Sequence, residues 1–139
     1  MRISGGPVLA LIVLAVAATA CHPSENAQRA DLCGDLGNLR ATIVFLSSPP
    51  DDASVGAIRA DLDKLDPTFG AVSSSGTVPQ SIVDRLVSEH EAYRVVIKGI
   101  GDDDRFSTLR AAATAPAQGL ADAFEAVVTA LGCDVAPAT

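Results

Sequence analysis

The sequence predicts an all-α fold, a four-helix up-down bundle whose fourth helix is broken near Pro116, and two observations predict it. Apolar residues recur at three- and four-residue steps in successive segments, the spacing that lines one face of a helix. The β-branched residues fall at that same spacing and never alternate over the length of a strand. Clusters of proline, glycine and serine punctuate the segments. The bundle is expected over residues 31–135, with 136–139 as a C-terminal tail.

The first helix is expected from Asp31, with Leu32, Leu36, Leu39, Ile43 and Leu46 on one face. Ser47-Ser48-Pro49-Pro50 ends it, because proline cannot continue the ladder. Asp51 or Asp52 is expected to cap the second helix, which carries the stripe Val55, Ile58, Leu62 and Leu65. Lys64 falls in its last turn, where the helix dipole favours a cation, before Pro67 and Gly70 terminate it. Residues 71–76 include Ser73-Ser74-Ser75-Gly76 and are expected to form a flexible loop.

Thr77 followed by Gln80 makes a capping box for the third helix, with Pro79 tolerated in its first turn. Ile82, Leu86, His90, Tyr93, Ile97 and Ile100 trace one face, and Gly99 and Gly101 close it. Asp102-Asp103-Asp104 is expected to start the next segment, with Phe106, Leu109 and Ala113 inward, and Pro116 to interrupt it. Leu120, Phe124, Val127, Val128 and Leu131 continue the fourth helix to Gly132, a residue suited to a helix C-terminus.

The first thirty residues have a different character. Arg2 precedes the uncharged run Val8-Leu9-Ala10-Leu11-Ile12-Val13-Leu14-Ala15-Val16, which ends in the small residues Ala17-Ala18-Thr19-Ala20. That order matches a secretory leader. A bilayer span needs roughly 20 apolar residues, whereas this run gives way early to His22-Pro23-Ser24-Glu25-Asn26. Residues 1–20 are therefore expected to be a removable export signal.

Ala18-Thr19-Ala20-Cys21 resembles the lipobox of bacterial lipoproteins, in which small residues precede a cysteine that becomes the first residue of the mature chain. The resemblance implies diacylglycerol on Cys21, an amide-linked acyl chain such as palmitate, and anchoring to the outer face of the cell membrane. It covers the leader, and it departs from the family at Ala18, where leucine or another larger aliphatic is usual. The same small residues satisfy the A-x-A rule of ordinary signal peptidase, which would make the same cut and leave Cys21 without lipid. Residues 21–30 then form the N-terminus and a polar tether.

Three cysteines in an exported chain leave an odd one to account for. With Cys21 acylated, Cys33 and Cys133 remain as a pair; the alternative is a free or dimerising thiol at Cys21. In an up-down bundle the first and fourth helices are antiparallel, so the start of one lies beside the end of the other. That topology permits the Cα separation of roughly 4.4–6.8 Å that a disulfide needs. One disulfide, Cys33 to Cys133, is expected to staple the bundle.

Without residues 1–20 the chain keeps nine basic and 17 acidic side chains, a net charge of −8. Such a balance opposes nucleic acid, whose binding rests on Lys and Arg at phosphates, and it opposes charge-driven attachment to anionic headgroups. The remaining length suits one domain. Tryptophan is absent and the aromatics are Phe45, Phe69, Phe106, Phe124 and Tyr93, which leaves little to stack a flat cofactor or a base.

No catalytic constellation assembles in the sequence. His90 lies in Glu89-His90-Glu91, but a zincin motif needs a second histidine at position 94, which is arginine; a packed histidine reaching a carbonyl or water is expected. Asp102-Asp103-Asp104 lacks the alternate-position ligands of an EF-hand. Serines 73–75 lack the strand-to-helix setting of an esterase nucleophile, and Asp61 and Asp63 point to different sides of a helix. Cys33 and Cys133 are too far apart in sequence for a Cys-x-x-Cys redox pair.

Accordingly, the chain is expected to be a membrane-tethered, non-catalytic helical module of the bacterial cell envelope, binding a protein partner or serving structurally, with no cofactor or metal. The alternative is a carrier of a lipid or other apolar small molecule, held between helices at Ile82, Leu86, Phe124 and Val127. A metal-dependent enzyme using His90 is a third reading. In its lipobox, alanine-rich composition, helix pattern and terminal cysteine pair, the chain resembles small helical lipoproteins of high-GC Gram-positive bacteria. That resemblance implies no activity.

Overall fold

The structure, a computed structural model, describes residues 24–134; the leader 1–20, Cys21 and the tail 136–139 lie outside the described residues. Within them the helical stripes become four α-helices: α1 (Glu25–Ser47), α2 (Val55–Ser75), α3 (Gln80–Ile97) and α4 (Arg110–Leu131). A 3₁₀ turn, Phe106–Thr108, leads into α4. No strand forms among the described residues; a single backbone bridge joins Ser54 and Arg105. α1 and α3 each pack against both α2 and α4, so every helix has two main neighbours and the core lies between them. Leu36, Leu46, Ile58, Leu62, Leu86, Tyr93 and Phe124 fill it.

Several helix boundaries differ from expectation, each for a local reason. α1 starts at Glu25 and not Asp31, so most of the expected tether is helical. Ser24 caps it, its hydroxyl accepting from the Ala27 N–H at 3.2 Å, and Glu25 stands in the first turn where the dipole favours an anion. Ser54, and neither Asp51 nor Asp52, caps α2 by accepting from the Ala57 N–H at 3.2 Å.

α2 then runs through Pro67 and Gly70 to Ser75 and stops at Gly76, whose φ of 66° is left-handed. An interior proline costs about 3 kcal/mol. Beyond it, however, Phe69 and Val72 continue the stripe of Leu62 and Leu65 and are buried, and burial of two such side chains returns about 1.5–3 kcal/mol each. Residues 71–75 are therefore helix, not loop. The hydroxyls of Ser73, Ser74 and Ser75 donate back to the carbonyls of Phe69, Gly70 and Val72 at 2.9, 2.6 and 2.8 Å. Lys64 consequently lies mid-helix, paired with Asp61.

The capping box of α3 does not form, because the chain enters the helix at Pro79, two residues past Thr77. The Thr77 hydroxyl shares a 2.9 Å hydrogen bond with Ser75, and the Gln80 amide donates to Asp84 at 2.8 Å. Val83 takes the buried place expected of Ile82, which is half-buried against the core. α4 is one helix through Pro116, so the expected break is absent; Ala113, Ala117 and Leu120 keep facing the core on both sides of the proline. Gly132 closes α4 as expected, with a φ of 65°.

Candidate functional site

The two ends of the domain meet at Cys33 and Cys133, which form a disulfide with a Cα separation of 5.4 Å across a sequence separation of 100. Both cysteines are half-buried. Further along the same pair of helices, Arg40 of α1 donates to Glu125 of α4 at 2.6 Å. Cys21, the expected lipid site, lies outside the described residues.

Helix ends carry backbone groups with no partner in their own helix, and here neighbouring segments supply many of the partners. The Tyr93 hydroxyl crosses the core from α3 and donates to the Leu46 carbonyl in the last turn of α1 at 3.0 Å. Arg59 of α2 donates to the carbonyls of Ile97 and Ile100 at the end of α3, at 3.3 and 2.9 Å, and pairs with Asp102. In return the carbonyls of Asp104 and Asp102 accept from the first N–H groups of α2, at Val55 (2.8 Å) and Gly56 (3.0 Å). A side chain at Gly56 would press on Asp102, 3.0 Å from the position of its Cβ. The aspartates therefore do not cap α4, as expected of them, but close the start of α2. Asp104 also accepts from the Gly101 N–H at 3.0 Å.

His90 is buried in the α2–α3 contact, where Nε2 donates to the Leu62 carbonyl at 3.0 Å and the ring meets Phe69 edge-on at a centroid distance of 5.3 Å. Pro67 lacks the N–H that the Asp63 carbonyl would otherwise receive, and His90 attaches to the adjacent carbonyl on that stretch of α2. Its Nδ1 lies 3.8 Å from Asp66, while Arg94 bridges Asp63 and Asp66 at 2.7 Å each. Among the described residues no group of three histidine, cysteine or acidic side chains converges as a metal site. Asp61 and Asp63 diverge, one toward Lys64 and the other toward Arg94.

The four residues expected to border an apolar cavity belong to the core or pack against it. Leu86, Phe124 and Val127 are 0 % exposed, and Ile82 packs beside them half-buried. Open grooves lie elsewhere. One of about 690 Å³ is lined mainly by α3, including Val83, Asp84, Val87, Glu91 and Val95. Another, of about 290 Å³, lies where Gln28, Asp31 and Leu32 of α1 meet Ala71, Ser74 and Ser75 of α2. Among the described residues no helix is long and apolar enough to cross a membrane.

Burial pushes the Tyr93 hydroxyl pKa up from its ordinary value. Arg59 and the carbonyls of Asp102 and Asp104 escape sequence reasoning, since helical phase assigns a face without saying which carbonyl of another helix a side chain meets. The only hint for Arg59 is its place directly beside the core residue Ile58. No family model matches the chain, and no curated protein or solved structure shows significant similarity to it.

Proposed function

We propose that the chain is an exported protein, held to the outer face of the cell membrane by lipid on Cys21, whose folded part is a non-catalytic envelope module that binds a protein partner or serves structurally. The observation that carries this reading is the disulfide between Cys33 and Cys133. Thiols are kept reduced in the cytosol of most organisms, so the pairing supports an oxidising compartment independently of the leader. It also accounts for two of the three cysteines and leaves Cys21 for acylation. Diacylglycerol with a further acyl chain anchors firmly, where a single chain would not.

We assign the helices an antiparallel, up-down order. Going forward along α1 from Cys33 to Arg40 moves the partner back from Cys133 to Glu125, and Arg59, early in α2, meets Ile97 at the end of α3, which favours that order. The non-catalytic reading draws on His90, committed to a backbone carbonyl, and on Asp63 and Asp66, both held by Arg94. Intact mass of protein extracted from membranes tests the anchor, with acyl mass on a chain beginning at Cys21 and the two-hydrogen deficit of one disulfide expected. A mature chain without acyl mass overturns it. Cross-linking in intact cells is expected to recover the same partner repeatedly; recovery of none overturns partner binding.

A further inference from the structure

The early start of α1 leaves little chain between lipid and fold. Cys21 precedes Glu25 by four residues, and four residues span at most about 14 Å when fully extended. Resting on the lipid anchor proposed above, we infer that the protein stands end-on, with the end built from the start of α1, the close of α2 and the turn into α3 against the bilayer.

Two observations place these segments together. Gln28 and Asp31 share a groove with Ala71, Ser74 and Ser75, and the disulfide brings Cys133, just past α4, to the same end as Cys33. The chemistry of the turn at this end suits a lipid surface. The 17 residues 67–83 carry no charged side chain, and Ser73, Ser74, Gly76, Gln80 and Ser81 are exposed. An uncharged, hydroxyl-bearing surface meets headgroups without like-charge repulsion and without the cost of desolvating an ion. Glu25, Arg29, Asp31, Asp35, Asp84, Arg85 and Asp134 flank this end, Asp35 bordering the groove and Asp84 accepting from Gln80, and none of them lies within residues 67–83.

The other end is acidic at its tip. Asp51, Asp52, Asp102, Asp103 and Asp104 are all exposed there, Asp51 paired with Arg110 and Asp102 with Arg59, and the Ser54–Arg105 bridge ties the two connecting segments together. α1 has 23 residues, or about 34 Å at 1.5 Å each. That length exceeds the Debye length of about 8 Å at physiological ionic strength several times over, so an end-on protein keeps these carboxylates beyond the field of an anionic bilayer.

The absence of tryptophan makes the test direct. Single tryptophans are introduced in the full chain at exposed positions as Ser74→Trp, Val95→Trp and Asp103→Trp, and each lipidated product is placed in phosphatidylethanolamine–phosphatidylglycerol vesicles containing a headgroup-nitroxide lipid. Fluorescence is expected to be quenched several-fold more at position 74 than at 95 or 103. Equal quenching at 74 and 103 overturns end-on standing, and equal quenching at 74 and 95 overturns it in favour of a protein lying on the side of α3. Quenching at 74 that persists in a Cys21→Ser background overturns it as well, since the indole and not the anchor would then hold that end down. Intact mass separates the two levels of failure. A chain without acyl mass overturns the anchor itself, whereas an acylated chain quenched equally at 74 and 103 overturns the orientation alone.

Discussion

Tyr93 is the single tyrosine of the chain, fully buried, with its hydroxyl donating to the Leu46 carbonyl at 3.0 Å. Burial raises its pKa, so between the ordinary value of about 10 and the higher folded value the unfolded chain gives up a proton that the native state keeps. The contribution to stability is therefore complete below about pH 10 and lost progressively above it. In an alkaline titration the phenolate absorbance is expected to rise together with the loss of helical circular dichroism; phenolate absorbance from an intact helical protein would contradict this. Tyr93→Phe leaves the Leu46 carbonyl without its donor and is expected to cost about 1–3 kcal/mol in urea unfolding. The inward place of Tyr93 was legible from its spacing with Leu86, His90 and Ile97. Its partner was not, because Leu46 lies 47 residues away in sequence and periodicity carries no information about which helices meet. The sequence makes His90 a packed histidine reaching a carbonyl or water; that it is a carbonyl, and that of Leu62, is visible only in the packed structure.

At the scale of the element, glycines separate two kinds of helix position. A Cβ at Gly34 or Gly37 of α1 would meet nothing within 4 Å, so alanine at either site trades backbone freedom in the unfolded chain for helix propensity at no steric cost. Gly34→Ala and Gly37→Ala are each expected to stabilise the protein by about 0.5–1 kcal/mol, measured by urea unfolding. Gly119→Ala in α4 is expected to gain less, because its Cβ would fall on the Glu89 carboxylate from α3, which must swing aside. The same scale explains which helix limits could be read. The end of α4 at Gly132 followed from residue type. The start of α1 was hidden because its first two turns are polar and exposed and show no stripe. The true end of α2 was in view, since Leu62, Leu65, Phe69 and Val72 keep helical spacing across Pro67. Pro67 masks this end, although the apolar phase on its far side outweighs the breaker.

For the whole molecule, the decisive long-range contact is Cys33 to Cys133. The loop-entropy account assigns a crosslink closing about 100 residues roughly 4–5 kcal/mol, often less in practice, which is large beside the 5–15 kcal/mol typical of a domain. The double variant Cys33→Ser/Cys133→Ser is expected to unfold at markedly lower urea concentration with its helical spectrum retained in buffer. An unchanged midpoint would show that the crosslink does not set the stability of this fold. The pairing was legible because, in the up-down order proposed above, an even number of helices returns the end of the chain to its beginning. The clasp between Arg59, Asp102 and the first turn of α2 was not, since it depends on how two connecting segments meet in space.

That crosslink also alters how the protein bears load. Tension applied between the segment before Cys33 and the segment after Cys133 passes through a covalent sulfur–sulfur bond and bypasses the helices enclosed between them. A partner pulling on the chain's tail against a membrane anchor would stretch the short terminal segments while the packed core stayed slack. Reduction would remove that shunt, and the same pull would then be transmitted through the noncovalent contacts of all four helices.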